Sequence, residues 1–487
     1  MTKILKEILS NVEILKIIGY VSNKCIKGIT LNSKNIKNNF IFVAKTGDKT
    51  CGYNFINEAI KKGSNTIICE YYKKINFSQN ITYIIVKNSV KSLGIISSNF
   101  YGNPTKKIIL IGIIGTNGKT STASILHQLF NNIGENSILI STIGIKILYD
   151  EYSTKNTTPN IIDINKYLSI AIKKKCKYAF MEVSSHAIKQ NRICGLLFRG
   201  AIFTNITHDH LDYHKTFNNY ISVKKYFFDK MPKNSFSLIN HDDENFSEII
   251  KNTLSNVYFY GLKKKSNFIG KILSKNFNGT KLILNDNKVF TNLVGEFNIY
   301  NLLAGYSIAR LLGKNKKNIL NAIHKINPIK GRFEQFLSKS GIRIIVDYAH
   351  NPDGLKNVLK NILDIIDKKH NLICVIGCGG NRDKKKRKIM GKIVYEMCNV
   401  SIFTSDNPRM EDPNKIIEDM KKFKSSVTYN NIVSIIDRKK AIKYAIKIAK
   451  KNDVILITGR GHENYQNIKG KFYKFNDIDI TKKLIND

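Results

Sequence analysis

No apolar run in the 487 residues approaches the ~18–20 that a helix needs to cross a bilayer. The opening Met1-Thr2-Lys3-Ile4-Leu5-Lys6-Glu7 lacks the long apolar segment and small-residue cleavage site of a secretory signal, so export is not expected. The eight cysteines, scattered from Cys25 to Cys398, contain no C-x-x-C pair, which argues against a zinc knuckle and a disulfide framework alike. These absences favour a reducing cytoplasm and no membrane insertion. Short repeats and long low-complexity tracts are also missing. Arginine is scarce, ten residues against 69 lysines.

Acidic residues are few as well, 37 against 79 basic, leaving a formal charge of +42. A surface that basic attracts phosphate backbones, so a nucleic-acid-binding ATPase is one reading. The lysines are spread along the chain beside abundant Asn and Ile, however, which looks like the imprint of an AT-rich genome rather than a basic groove, and no nucleic-acid partner is expected. Six of the ten arginines (Arg192, Arg332, Arg382, Arg387, Arg409, Arg460) fall inside or beside the motifs below, as if Arg persisted where a planar fork was needed. Length suggests roughly three domains, and 42% apolar residues with mean hydropathy −0.22 suit a globular protein.

Gly115-Thr116-Asn117-Gly118-Lys119-Thr120-Ser121 follows the apolar run Ile108 to Ile114 and opens a helix-like stretch. That is the layout of a phosphate-binding loop: glycines let the backbone close round an anion, N–H groups point at phosphate oxygens, Lys119 adds charge and Thr120 offers a hydroxyl to Mg²⁺. Strict G-x-x-x-x-G-K spacing would want glycine where Ile113 stands. A Gly-Asn turn between strand and helix is the plain alternative.

The first part reads as a small α/β unit, with strands at Phe40–Ala44 and Thr82–Val86 and a helix over Tyr53–Lys62. A break is expected near 88–104, punctuated by Asn103-Pro104. In the middle part, strands end on polar residues, Ala179–Glu182 and Ala201–Asn205, as in a parallel sheet that binds ligands at its carboxyl ends. The pattern restarts after residue 333 with Ile344–Asp347, Ile373–Gly377, Ile402–Asp406 and Val454–Gly459. The expected fold is α/β in three domains: a small N-terminal α/β domain (1–88), a central P-loop-type mononucleotide-binding parallel-sheet domain (89–333) and a C-terminal Rossmann-like α/β domain (334–487).

Glu182 ends a strand in Met181-Glu182-Val183-Ser184-Ser185-His186, and Asp209-His210-Leu211-Asp212-Tyr213-His214 follows another. Carboxylate and imidazole at strand ends beside a phosphate loop are natural ligands for Mg²⁺. Together with Asn156-Thr157-Thr158-Pro159, Gln190, Arg192, Gly295-Glu296-Phe297-Asn298-Ile299-Tyr300-Asn301, Gly331-Arg332-Phe333-Glu334 and Asp347-Tyr348-Ala349-His350-Asn351-Pro352, they occur in the order found in the Mur ligases, ATP-dependent amino-acid-adding enzymes of peptidoglycan precursor synthesis. The chain resembles that family over essentially its whole length, most closely the MurE type.

The resemblance implies that ATP and Mg²⁺ sit on Gly115 to Ser121, with Lys119 and Thr120 on the phosphates and metal, Glu182 and His210 at the metal sites, Asn298 or Asn301 at adenine, and Arg332 and Asp347 completing the nucleotide pocket. Asn156, Thr157, Thr158, Ser184, Gln190 and Arg192 match positions that bind the UDP-muramoyl peptide. The N-terminal domain would hold the UDP end through Ser33, although Asn32-Ser33-Lys34 departs from the family's Asp-Ser-Arg. Lys224, in Tyr220-Ile221-Ser222-Val223-Lys224, matches a lysine carbamylated by CO₂, and a carbamate can ligate Mg²⁺ where an ammonium cannot. Lys119, His210 and Lys224 would be the catalytic set.

Asp406-Asn407-Pro408-Arg409 matches the meso-diaminopimelate-adding branch, in which Arg409 clamps the distal carboxylate that lysine lacks. Arg382 would hold substrate carboxylate, and Gly459 and Glu463 the distal amine. Taken alone, Asp406 to Arg409 reads as an ordinary strand-end turn, since Asn-Pro is a common turn dipeptide. The implied reaction activates the γ-carboxylate of UDP-MurNAc-L-Ala-D-Glu as an acyl phosphate, which the amine of diaminopimelate then attacks in a monomer that closes about a hinge near 331–336. A lysine-adding or folylpolyglutamate synthase-like ligase is the nearest alternative. The sequence does not reveal which group deprotonates the amine.

Overall fold

Three α/β sheets follow one another along the chain in a computed structural model that describes residues 2–45, 51–70, 77–154, 156–423 and 431–486. The first sheet runs in the order Ile14–Ile18, Thr82–Val86, Ser64–Cys69, Phe40–Val43 and Gly28–Thr30, with only the Ile14–Ile18 edge antiparallel. The stretch 88–104, read as a break, instead carries the helix Ser89–Phe100. Asn88 caps it by accepting from the Lys91 N–H, the helix packs on Ile161–Lys173 of the central unit, and Gly94 lets the Cys194 backbone approach so closely that a Cβ would lie 2.2 Å from its carbonyl oxygen. Pro104 then opens a 3₁₀ turn behind Asn103, whose φ is +53°.

In the central sheet, parallel strands lie in the order Ser137–Ser141, Tyr178–Glu182, Ile109–Ile114, Gly200–Phe203, Phe236–Asn240 and Asn256–Gly261. Ile109–Ile114 is covered on both faces, which is why it reads as an unbroken apolar run. The fully parallel sheet expected from the sequence holds only for this middle. Antiparallel hairpins extend both sides: Gly144–Ile147 with Asp150–Tyr152 on one, and on the other Phe268–Asn276, itself parallel to Asn256–Gly261, followed by Gly279–Leu284 and Asn287–Thr291. The last pair is turned by Asn285 and Asp286, both at positive φ, a geometry suited to a tight hairpin.

Chain order places the crevice. From Ile109–Ile114 the chain moves through the helix Lys119–Asn132 to Ser137–Ser141 on one side, returns to Tyr178–Glu182, then crosses to Gly200–Phe203 on the other. Ligands bind where strand order reverses in this way, here at the carboxyl end of Ile109–Ile114.

The third sheet has the order Glu334–Leu337, Arg343–Asp347, Val454–Thr458, Leu372–Ile376, Val400–Phe403, Ile432–Ser434, parallel except for its first strand. Alternate side chains fill a core on each face, Ile345, Leu456 and Cys374 on one, Ile344, Ile455 and Val375 on the other. Asp347, Gly377, Asp406 and Gly459 at or just past its carboxyl ends all line the cleft shared with the central sheet. Among the described residues no helix is long and apolar enough to cross a membrane.

Candidate active site

The cleft between the central and third sheets has a volume of about 1030 Å³, and all seven residues of the phosphate loop line it. Gly118 has φ +85°, and a Cβ there would lie 2.6 Å from Asn301 Oδ1, so glycine is required twice over. Asn301 Oδ1 accepts from Thr122 Oγ1 at 3.0 Å, tying the loop's helix to the helix Glu296–Leu311. Lys119 Nζ donates to the Gly115 and Thr116 carbonyls at 2.9 and 2.8 Å. Burial lowers its affinity for a proton, and the carboxylates of Glu182 and Asp209 offset part of that.

Glu182 pairs in register with Ile113, one residue short of the loop's strand end, and is 1% exposed. Burial raises its carboxyl, while Lys119, the Thr142 N–H (2.7 Å) and the Thr120 hydroxyl favour the anion. Thr120 Oγ1 also accepts from Arg332 Nη2 at 3.2 Å, and the Arg332 guanidinium stacks 3.9 Å from the centre of the Tyr348 ring. His210, at φ +55°, is held neutral, its imidazole lowered to about 3 by burial. Asp209 beside it stays well below the usual carboxylate range: burial opposes this, but the neighbouring His210 and His350 imidazoles, Lys386 and the Asn351 amide at 3.0 Å outweigh it.

Lys224 lies behind this wall rather than in it. Its side chain is 1% exposed, Nζ is 4.5 Å from the centre of the Tyr220 ring, and among the described residues no carboxylate lies within 4.0 Å of it. Burial and then the charge of Lys119 push its amine well below the ordinary lysine range.

On the other side of Glu182, Asn156, Thr157, Ser184, Gln190 and Arg192 line the cleft. Ser184 caps the helix Ser185–Lys189. Thr158 is fully buried and does not line the cleft: its hydroxyl donates to Glu182 O at 2.8 Å and accepts from Ser184 N–H, while its carbonyl accepts from Arg192 Nη1. Ser33 is buried in the first unit, donating to Glu58 Oε2 at 2.8 Å, and Asn298 is spent on Val294 O at 2.8 Å; neither reaches the cleft wall.

From the third sheet, Arg382, Asp406, Asn407, Arg409, Gly459 and Glu463 line the cleft, whereas Pro408 does not. Arg409 has φ +52° and donates through Nη1 to Gly380 O at 2.7 Å. Asn407 joins the group, its Nδ2 donating to Glu463 Oε2 at 2.8 Å and its Oδ1 accepting from Asn467 N–H at 2.8 Å. Arg382 reaches Asp212 of the central unit at 3.9 Å. Asp347 lines the cleft but is also a joint: its two oxygens accept from the N–H groups of Phe333 and Ala349, each at 2.7 Å, and so hold Phe333 at φ +51°.

Residue-by-residue reading of the sequence passed over several groups in this wall. Lys386, which donates to His350 O at 2.8 Å, is masked by the run Lys384-Lys385-Lys386 in a lysine-rich chain. Asp353 follows directly on the motif that ends at Pro352. Asp242 accepts from Tyr300 Oη at 2.8 Å and from three backbone N–H groups of residues 262–264, and its strand-end position after Asn240 was the available signal.

Three family models match consecutive parts of the chain: Mur ligase family, catalytic domain, over 25–101; Mur ligase middle domain over 113–309; and Mur ligase, glutamate ligase domain over 331–461. The chain is similar to UDP-N-acetylmuramoyl-L-alanyl-D-glutamate--2,6-diaminopimelate ligases from Phocaeicola vulgatus, at 44% identity over 99% of both chains, and from Clostridium tetani, at 38% over 99% of both. A solved structure of a ligase of that name aligns over 100% of this chain and 99% of its own, with 28% identity and TM-score 0.70. MurF from Thermotoga maritima in complex with ADP shares the fold at 19% identity and TM-score 0.65, over 94% and 97% of the two chains. The chain belongs to the Mur ligase family.

Proposed function

We propose that this protein is an ATP-dependent ligase that joins meso-2,6-diaminopimelate to the D-glutamyl γ-carboxylate of UDP-N-acetylmuramoyl-L-alanyl-D-glutamate, in peptidoglycan precursor synthesis. The observation that carries the reading is a single cleft with the phosphate loop on one wall and Arg409, Asn407 and Glu463 on the other, in a chain 44% identical end to end to ligases of that name. The first unit (1–88) takes the UDP end, the central unit (89–333) takes ATP and the third (334–487) the amino acid. Eight free cysteines suit a reducing cytoplasm.

The chemistry has two parts. A glutamyl γ-carboxylate oxygen attacks the γ-phosphorus of ATP, forming an O–P bond as ADP leaves. The neutral amine of diaminopimelate then attacks the acyl carbon, forming the C–N bond; phosphate departs with the C–O electron pair, and the nitrogen gives up a proton, which balances as hydrogen phosphate. Lys119 and the loop N–H groups spread charge on the transferring phosphoryl group, and Arg332, fixed on Tyr348 and Thr120, is placed to add to it. Holding both substrates in one cleft removes much of the entropic barrier.

Buried oxygen donors beside a neutral imidazole suit a hard divalent cation, so Thr120, Glu182 and His210 are the residues that would hold Mg²⁺. When bound, it supplies charge neutralisation at the phosphates. Lys224, buried with no carboxylate within ion-pair distance among the described residues, suits a neutral amine that adds to CO₂, loses a proton and becomes a carbamate.

Phosphate release from ATP with UDP-MurNAc-L-Ala-D-Glu is the test. Release with meso-diaminopimelate alone is the expected result, release with L-lysine alone would overturn the amino-acid assignment, and release with neither would overturn the ligase reading.

A further inference from the structure

Arg460 is 0% exposed in the loop that joins Gly459 to Glu463, yet among the described residues its side chain has one hydrogen bond, from Nη2 to Tyr465 O at 2.7 Å. Nε and Nη1 have no hydrogen-bond partner among them. The ring of Phe475 lies 5.3 Å from the guanidinium carbon. Burying a guanidinium so sparingly bonded is costly, and an apolar side chain of similar volume would fill the same space at least as well. Its retention therefore points to work done by the charge. The nearest anion is Glu463, whose Oε2 lies 3.7 Å from Arg460 Nη1 and whose side chain is 33% exposed. The Glu463 N–H donates to Arg460 O at 3.1 Å, so backbone and side chain of the two residues are held together.

We propose that Arg460 is a positioning residue for amino-acid recognition: its buried charge holds the Glu463 carboxylate in the cleft wall, where it receives the distal ammonium of the incoming diamino acid. This rests on the function proposed above. Glu463 needs such a partner because burial and the neighbouring Asp406 both disfavour its anion. The other groups facing it are Arg409 and the Asn407 amide from the turn after Val400–Phe403, Arg438 from the helix Arg438–Ile448, and Tyr348 after Arg343–Asp347. Arg409 is committed to Gly380 O and Arg438 to a two-point pair with Asp477, at 2.8 Å in both contacts, which leaves Arg460 as the cation set against Glu463 from its own loop.

The experiment compares the full-length wild type with Arg460→Met, Arg460→Lys, Glu463→Gln and the Arg460→Met/Glu463→Gln double variant, reading KM separately for ATP, the UDP-sugar peptide and the amino acid. Arg460→Met should raise KM for the amino acid by about tenfold or more at pH 7, as expected when a charge-assisted contact is lost, with the other two unchanged. Removing the cation pushes Glu463 further up, so the deficit should shrink as the pH is raised, short of the ordinary range of the ammonium it binds. Arg460→Lys should restore most of the loss, and the double variant should be no worse than Glu463→Gln. A rise in all three KM values, multiplicative effects in the double variant, or a deficit that does not change with pH would each overturn the inference. Lysine carries the same distal ammonium, so if the wild type accepts lysine in place of diaminopimelate the function reading fails while the same cycle still decides the role of Arg460; acceptance of neither sinks both.

Discussion

Asn117, in the phosphate loop, donates through Nδ2 to Asp353 Oδ2 at 2.9 Å, across 236 positions of sequence. Its Oδ1 accepts from Asn351 Nδ2 at 3.0 Å, and that same Asn351 caps the helix Pro352–Leu363 and donates to Asp209 Oδ2 at 3.0 Å. One amide thus joins the loop to the third sheet's first helix, so loop geometry and docking of the third unit form one network.

Asn117→Ala and Asp353→Ala should accordingly behave as partners. Each removes a hydrogen bond to a charged group, about 1.5–3 kcal/mol, so each should weaken ATP binding by roughly tenfold or more. The double variant should lose little beyond either single one. Calorimetric titration with a non-hydrolysable ATP analogue reads this directly, and independent, multiplying losses would contradict the network. X-ray scattering of Asp353→Ala should also show a larger radius of gyration than wild type, since a contact that keeps the third unit docked is gone.

On the function proposed above, Arg409 carries the choice of amino acid. Lysine in its place keeps the charge but loses the fork, so Arg409→Lys should raise KM for diaminopimelate by about 10- to 100-fold, the worth of a charge-assisted hydrogen bond. KM for ATP should not move. Equal losses with diaminopimelate and lysine as acceptors would show that Arg409 does not read the distal carboxylate.

The phosphate loop and Glu182 were legible in the sequence because each sits at the end of an apolar strand in a motif whose composition has a chemical reason, whereas Arg332 and Arg409 stood out only through the order of the family's motifs. The cleft lining that escaped notice failed that test: Lys386 is hidden among lysines, and Asp242 is a turn residue whose side chain serves backbone N–H groups. Thr158, Asn298 and Pro408 show the converse, since motif membership singled them out but packing turns them away from the cleft between the central and third sheets; Ser33 lies apart from that cleft, in the first unit. Antiparallel strands at the edges of the central sheet were invisible for a different reason. Phe268–Asn276 is half exposed and weakly alternating, and its hairpin with Gly279–Leu284 closes at Phe277-Asn278, so no apolar signal announces it.

Lys224 allows a test of the carbamate itself. Arginine at 224 cannot form a carbamate and buries a fixed cation where the lysine amine is neutral, so Lys224→Arg should lower kcat by on the order of 100-fold, the scale of losing one charge-stabilising group, and should lower the thermal midpoint as well. Wild-type protein exchanged into CO₂-depleted buffer should lose activity and regain it with bicarbonate, and ¹³C-bicarbonate should give a carbamate resonance that Lys224→Arg lacks. Full activity without CO₂ would remove the modified lysine from the mechanism.

His127 lies far from this chemistry and isolates a stability effect. It is 6% exposed, with Nδ1 2.8 Å from Ser137 Oγ, and burial lowers it from its ordinary value to about 4. A histidine depressed in the folded state takes up its proton first in the unfolded chain, so it costs no stability above pH 6.5 and progressively more as the pH falls towards 4. Between pH 7.5 and 5 that loss is about 2 kcal/mol for this one side chain. Urea denaturation at the two pH values should therefore show a smaller acid-induced loss for His127→Gln than for wild type, by roughly that amount, even though the variant is less stable at pH 7.5. An unchanged difference would mean that His127 takes up its proton as readily in the folded protein as in the unfolded chain.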